Sequence, residues 1–220
     1  LGGETLLSRN IRLLRNAGIE EVVIVVGCAA DTVRRTVPGV EFVENARFAQ
    51  TNSLYSLWLA RPLLTEGFVV MNCDILVHPQ LLGDLLTARH DDALLLAYRD
   101  GDTRYGDEEM KVRVRRGCVA DISKTMDPEE ADGENVGMVK FGVQGAKILV
   151  EEMDALVAGG NHKAWVPRAF KAFAERRPLH VIGTRGFPWT EIDFPDDYRR
   201  AVEVVLPQIE RDLSALPRPA

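Results

Sequence analysis

Cysteine is scarce and scattered in this chain: Cys28, Cys73 and Cys118 form an odd set without a C-x-x-C pair. Such a set fits reduced thiols in a cytoplasm far better than a disulfide framework. The four histidines, His78, His90, His162 and His180, show neither H-x-x-H nor H-x-x-x-H spacing, which argues against zinc. Long apolar runs are also missing. None approaches the roughly 20 residues of a membrane-spanning helix, and the run at 22–26 has the length and β-branching of a buried strand. No lysine and arginine block marks a membrane-surface segment. A formal net charge of −6 argues against nucleic acid as a partner.

What is present is ordinary for a globular domain: 46% hydrophobic and 27% charged residues. The 220 residues suit one α/β domain better than two small ones. The chain opens on Leu1-Gly2-Gly3, without methionine or a signal-peptide pattern, and reads as though a segment precedes it.

Apolar residues at Leu7, Ile11 and Leu14 predict a helix over 4–17, closed by Gly18. Strands are expected at 22–26, 40–43, 68–72 and 93–98. Between them the pattern predicts helices at 31–36, 54–64 and 79–88, with Thr51, Asn52 and Ser53 capping the second and Pro62 ending it. This alternation predicts a mostly parallel, mixed sheet with helices on both faces, a Rossmann-like α/β fold. After Asp100 the rhythm changes. Strands are expected at 111–114, 119–123 and 137–142, with Arg116-Gly117 as a tight turn. Helices at 146–156 and 164–176, a strand at 179–182 and a last helix at 195–213 follow. Pro217 to Ala220 is expected to fray.

Ligands of open α/β sheets bind beyond the carboxyl ends of strands, so polar residues just after apolar strands are informative. Asp74 follows Phe68-Val69-Val70-Met71, where a charge is costly unless paired or bound to a cation. Its alternative role, a helix cap, conflicts with Pro79, which places the next helix several residues on. Asp193 belongs to Trp189-Thr190-Glu191-Ile192-Asp193, an extended segment that puts Glu191 and Asp193 on one face. Pro195 suits the first helical position, and Asp197 then falls where a carboxylate favours the terminus, so Asp193 is not needed for capping. Two carboxylates from distant segments are natural ligands for Mg²⁺, which also binds substrate phosphates.

At this point the residues resemble a known group, the MobA-like nucleotidyltransferases of the sugar-phosphate and phosphocholine cytidylyltransferase type. The stretch from Gly3 to Gly27 resembles the segment after that family's signature loop. Asn45 followed by Thr51-Asn52-Ser53-Leu54-Tyr55-Ser56-Leu57 is similar to the nucleotide-contacting segment of the phosphocholine and phosphonate branch. Asn72-Cys73-Asp74 and Trp189 to Asp197 resemble the two metal-aspartate motifs. The segments Glu109-Met110-Lys111-Val112, Ile122-Ser123-Lys124 and Gly133-Glu134, with Gly137 beyond, look like its acceptor-side strands.

The resemblance implies a single nucleotidyltransferase domain over 1–220. Residues 1–100 would form a nucleotide half, 101–193 an acceptor half, and 194–220 a C-terminal helix and tail. It implies attack by an acceptor phosphate or phosphonate oxygen on the α-phosphorus of a nucleoside triphosphate, CTP above all, with release of pyrophosphate. Asp74 and Asp193 would hold Mg²⁺, and Gly27, Asn52, Ser53 and Asp74 would meet the nucleotide. Tyr105, Lys111, Lys124, Glu134 and Trp165 are the acceptor candidates, and aromatic rings would suit a quaternary amine. Each of these residues also has an ordinary structural role available. The family's Gly-rich loop would lie ahead of Leu1, and a homodimer built on the later strands is a further implication. A sugar 1-phosphate transferase and a non-catalytic nucleotide-binding domain are the competing readings. A glycosyltransferase would need a D-x-D, which Asp74-Ile75-Leu76 does not supply.

Overall fold

The computed structural model describes residues 1–101 and 104–215. The expected tail at 217–220 lies outside the described residues. The first half runs α1 (Leu6–Asn16), β1 (Val23–Val26), α2 (Ala30–Thr36), β2 (Glu41–Glu44), α3 (Ser53–Leu59), β3 (Phe68–Met71), β4 (Ile75–Val77), α4 (Pro79–Thr87) and β5 (Ala93–Tyr98). The second half runs β6 (Lys111–Arg115), β7 (Cys118–Ser123), β8 (Gly133–Phe141), α5 (Val143–Ala158), α6 (Pro167–Arg176), β9 (His180–Gly183) and β10 (Trp189–Glu191). It closes with α7 (Pro195–Arg200), a π-turn over Ala201–Val205, and α8 (Leu206–Ala215).

Local chemistry explains the boundaries. The Thr5 hydroxyl accepts the Ser8 amide at the start of α1. Gly18 closes that helix at φ +85°, where the Ile19 amide reaches back to the Leu14 carbonyl. Arg116 and Gly117, both at positive φ, make the tight β6–β7 turn. Pro62 sits in a short 3-10 turn that ends the α3 segment after Leu59.

The main sheet has the order β3-β8-β5-β9-β7-β6. The parallel expectation is met where β1 pairs with β2 and β5 with β9. The other described strand pairings are antiparallel. The reason is topological: β8 comes from the second half of the chain and inserts between β3 and β5, running against both.

Helices cover both faces of this mixed sheet. Leu94 and Leu96 of β5 and Val139 and Phe141 of β8 pack with Leu149 and Met153 of α5 and Phe170 and Phe173 of α6. Their sequence neighbours Ala93, Leu95, Val136 and Met138 face the other way, onto Leu81, Leu82 and Leu85 of α4. This two-residue alternation is what a strand buried on both faces requires.

One buried charge ties the halves together. Asp92, 2% exposed, accepts the Gly142 amide at 3.0 Å and pairs with Arg177 at the end of α6. Gly145 makes room for it, since a Cβ there would lie 1.8 Å from the Asp92 carboxylate. Asp92→Ala should cost about 3 kcal/mol, the lower end for breaking a buried pair because Arg177 keeps some water. Urea denaturation checks this, and an unchanged midpoint would contradict it.

Candidate active site

β3 carries the chain to the sheet edge at Asn72-Cys73-Asp74, and the chain then turns into β4, a fully buried strand that the sequence pattern did not reveal. β4 pairs antiparallel with β10, Ile75 opposite Glu191. The ladder continues one step further, where the Ile192 amide donates to the Asp74 carbonyl at 2.9 Å. Two segments more than a hundred residues apart are thereby clamped together. The carboxylates of Asp74, Glu191 and Asp193 consequently lie with one oxygen of each within 4.8 Å of the others.

Electrostatics sets this cluster apart from a solvated acidic face. Asp74 Oδ1 is buried without a hydrogen-bond partner among the described residues. Burial, with Asp193 alongside, raises the Asp74 pKa above the usual carboxylate value. Burial, then Asp74 and Asp193, pushes Glu191 up to about 7. An unpartnered buried carboxylate oxygen facing two more carboxylates is costly unless a cation or proton neutralises it. The donor set is all hard oxygen, which suits Mg²⁺ or Mn²⁺ rather than softer metals.

Glu191 was legible as the partner of Asp193 on one face of the extended segment, yet the sequence alone gave it no ligand role. Asn72 is a second addition: its side-chain amide lies near Glu191 and partly offsets the upward shift of that carboxyl. It fits because Gly137, at φ +88°, leaves space where a Cβ would lie 2.9 Å from the Asn72 amide group. Gly137 itself sits in an irregular stretch of β8, where Leu94 pairs with Val139 but Leu96 pairs with Asn135. Such bulges re-aim side chains beside functional sites. Asp197 accepts the amides of Asp193 and Phe194, so the helix terminus is satisfied without the Asp193 side chain.

The acceptor candidates divide. Lys124 lies close enough to Asp74 and Glu191 to offset part of the upward shift of each. Its ammonium pairs with Glu108 at 2.9 Å and sits 4.7 Å over the half-exposed Trp165 ring. Glu134 borders the cluster as well; burial, then Glu109 and Glu191, pushes it up to about 7. Two of the candidates already have structural roles. Lys111 is 1% exposed, and its ammonium is held by the Gly106 carbonyl at 2.6 Å and the Glu109 carbonyl, so it braces a turn. Tyr105 is buried against Met126 and Ala131, and its hydroxyl is pushed up to about 12 by that burial. Trp189 packs into the α4 side of the core, in a different cluster from Tyr105.

Among the nucleotide candidates, Asn52 caps α3 by accepting the Ser53 amide at 2.7 Å, while Ser53 Oγ accepts the Val166 amide at 2.9 Å. Both side chains therefore have structural bonds. Gly27 is small for a reason apart from any ligand: a Cβ there would meet Phe48 at 2.6 Å.

With this geometry established, the family follows. The description "MobA-like NTP transferase domain" matches residues 1–180. The chain belongs to that family. Among curated proteins it is 30% identical over 214 residues to the bifunctional IPC transferase and DIPP synthase of Rubrobacter xylanophilus, covering 94% of this chain and 46% of that protein. The chain thus spans less than half the length of that relative. Two solved structures share the MobA-like fold, each with a TM-score of 0.73. One is a CTP:phosphocholine cytidylyltransferase from Streptococcus pneumoniae, 22% identical, with 93% of this chain and 86% of that chain covered. The other is the inositol-1-phosphate CTP transferase from T. maritima, 19% identical, with 93% and 83% covered. No helix among the described residues is long and apolar enough to cross a membrane.

Proposed function

We propose that this MobA-like domain transfers a cytidylyl group from CTP to a small phosphorylated alcohol and releases pyrophosphate. The observation that carries the reading is the unpartnered, buried Asp74 oxygen beside Glu191 and Asp193. Those residues would hold Mg²⁺, which when bound neutralises charge on the reacting phosphates. Balance is simple: the acceptor oxygen bonds to the α-phosphorus, the α–β bridging bond breaks, and pyrophosphate carries off the electron pair.

The protein's own residues divide the work along the chain. Residues 1–100 would serve the nucleotide, with Gly27, Asn52 and Ser53 at its base and ribose end, and 101–193 the acceptor. Lys124, beside the cluster, would meet the acceptor phosphate. Glu134, with a pKa near 7, can donate to or accept from an acceptor hydroxyl. Lys124 already covers the Trp165 face, which favours a neutral polyol head over a quaternary ammonium group.

Profiling the four triphosphates by pyrophosphate release, with inositol 1-phosphate and phosphocholine as alternative acceptors, tests the proposal. CTP with the polyol phosphate should turn over fastest, and preference for another triphosphate would refute the cytidylyl assignment. Asn52→Ala should raise the KM for CTP more than that for the acceptor and cost about 1 kcal/mol of stability for the lost cap. An unchanged CTP KM would reduce Asn52 to a cap.

A further inference from the structure

A cleft of about 570 Å³ opens between the Arg47–Gln50 segment and the loop that joins α5 to α6. Its size falls within the roughly 300–1,000 Å³ of small-molecule sites. It shares no residue with the carboxylate cluster. Arg47, Lys163 and Arg168 line it together with Gln50 and His162, and no carboxylate does.

That composition is unusual on this acidic chain. Arginines such as Arg34, Arg99 and Arg176 lie against carboxylates, whereas this cleft groups its cations without one. Arg47, Lys163 and Arg168 have no ion-pair partner among the described residues.

The walls are built rather than incidental. The Asn52 amide donates to the His162 carbonyl at 2.9 Å and the Leu54 amide to the Ala164 carbonyl, which fixes one wall to the other. The Thr51 hydroxyl donates to the Arg47 carbonyl, and the Arg47 amide donates to Asn45 Oδ1. The Arg47 guanidinium lies 5.2 Å over the Tyr55 ring, and that ring lies 5.3 Å from His162. The His162 ring contacts the Val157 carbonyl, and Gly160 takes the positive φ the turn demands. Three unpaired cations on braced backbone, with amide and imidazole groups between them, suit an oligo-anion of tetrahedral oxyacid groups.

We infer that this cleft is a binding site for a phosphate-bearing small molecule, separate from the metal cluster. Pyrophosphate and inorganic phosphate are the probes, titrated calorimetrically into the full-length protein with EDTA present. Pyrophosphate should bind more tightly than phosphate. Arg168→Ala and Arg47→Ala should each weaken it at least about tenfold, the worth of one charge-assisted contact. Arg168 and Arg47 are exposed, so both variants should fold, which circular dichroism checks. Asp74→Asn should leave the affinity unchanged. Equal binding by wild type and both arginine variants, or loss of binding in Asp74→Asn, would overturn the inference. CTP turnover is read separately, so failure here leaves the cytidylyltransferase reading standing.

Discussion

Asp74→Asn is expected to lower CTP-dependent pyrophosphate release by about a hundred- to a thousandfold, the scale of losing one preorganised stabiliser of transition-state charge. The same substitution should make the metal-free protein more stable. In the native chain the Asp74 oxygen is buried without a partner and faces Asp193 and Glu191. A neutral amide removes that repulsion while keeping the shape. A residue that mattered only for packing would show the opposite pairing, with less stability and retained turnover. Near-normal turnover in Asp74→Asn, with CTP and Mg²⁺ saturating, would refute its role. Thermal melts in EDTA supply the second readout.

The second large effect is a metal-dependent pH profile of stability. Glu191 and Glu134 are both pushed up to about 7 from an ordinary 4.5, chiefly by burial. Between about 4.5 and 7 the folded chain therefore holds more protons than the unfolded one, so its stability falls as pH rises. The raised Asp74 works in the same direction. His78 and His90 work against it: burial lowers both from 6.5, so their contribution to stability improves as pH rises. The three carboxylates outweigh the two imidazoles, whose shifts are small. In EDTA the Tm should drop by several degrees, on the order of 1–2 kcal/mol for a domain of this size, between pH 5.5 and 8. Mg²⁺ should restore it at pH 8 and do little at pH 5.5, because ligation needs the ionised carboxylates. Glu191→Gln should flatten the EDTA profile. A Tm in EDTA that rises over that range would contradict the account.

The regular elements were legible because they rest on local signals. Gly18, Asn52, Pro62 and the Arg116-Gly117 turn act within a few residues of themselves, and the structure uses each as a cap, break or turn. The sheet's pairing was less legible, since the placement of β8 between β3 and β5 depends on contacts between distant segments. β4 escaped for a different reason: three residues carry too little periodicity to announce a strand. At the site, Asp74 stood out because it follows an apolar strand, and Asp193 because Pro195 and Asp197 already supply the helix start. Glu191 had the same two-residue spacing from Asp193 but lacked any sign of which segment it would face. Lys111 illustrates the converse. A lysine at a strand start reads as solvated or ligand-facing, and only the fold reveals two carbonyls closing over its ammonium.

The most direct measurement is mass-spectrometric detection of the product formed from CTP, Mg²⁺ and a polyol phosphate by the full-length protein, alongside pyrophosphate. A cytidylylated acceptor and pyrophosphate should form in equal amounts, both lost in EDTA and in Asp74→Asn. Pyrophosphate without the conjugate, or a conjugate formed equally well by Asp74→Asn, would contradict the cytidylyltransferase reading.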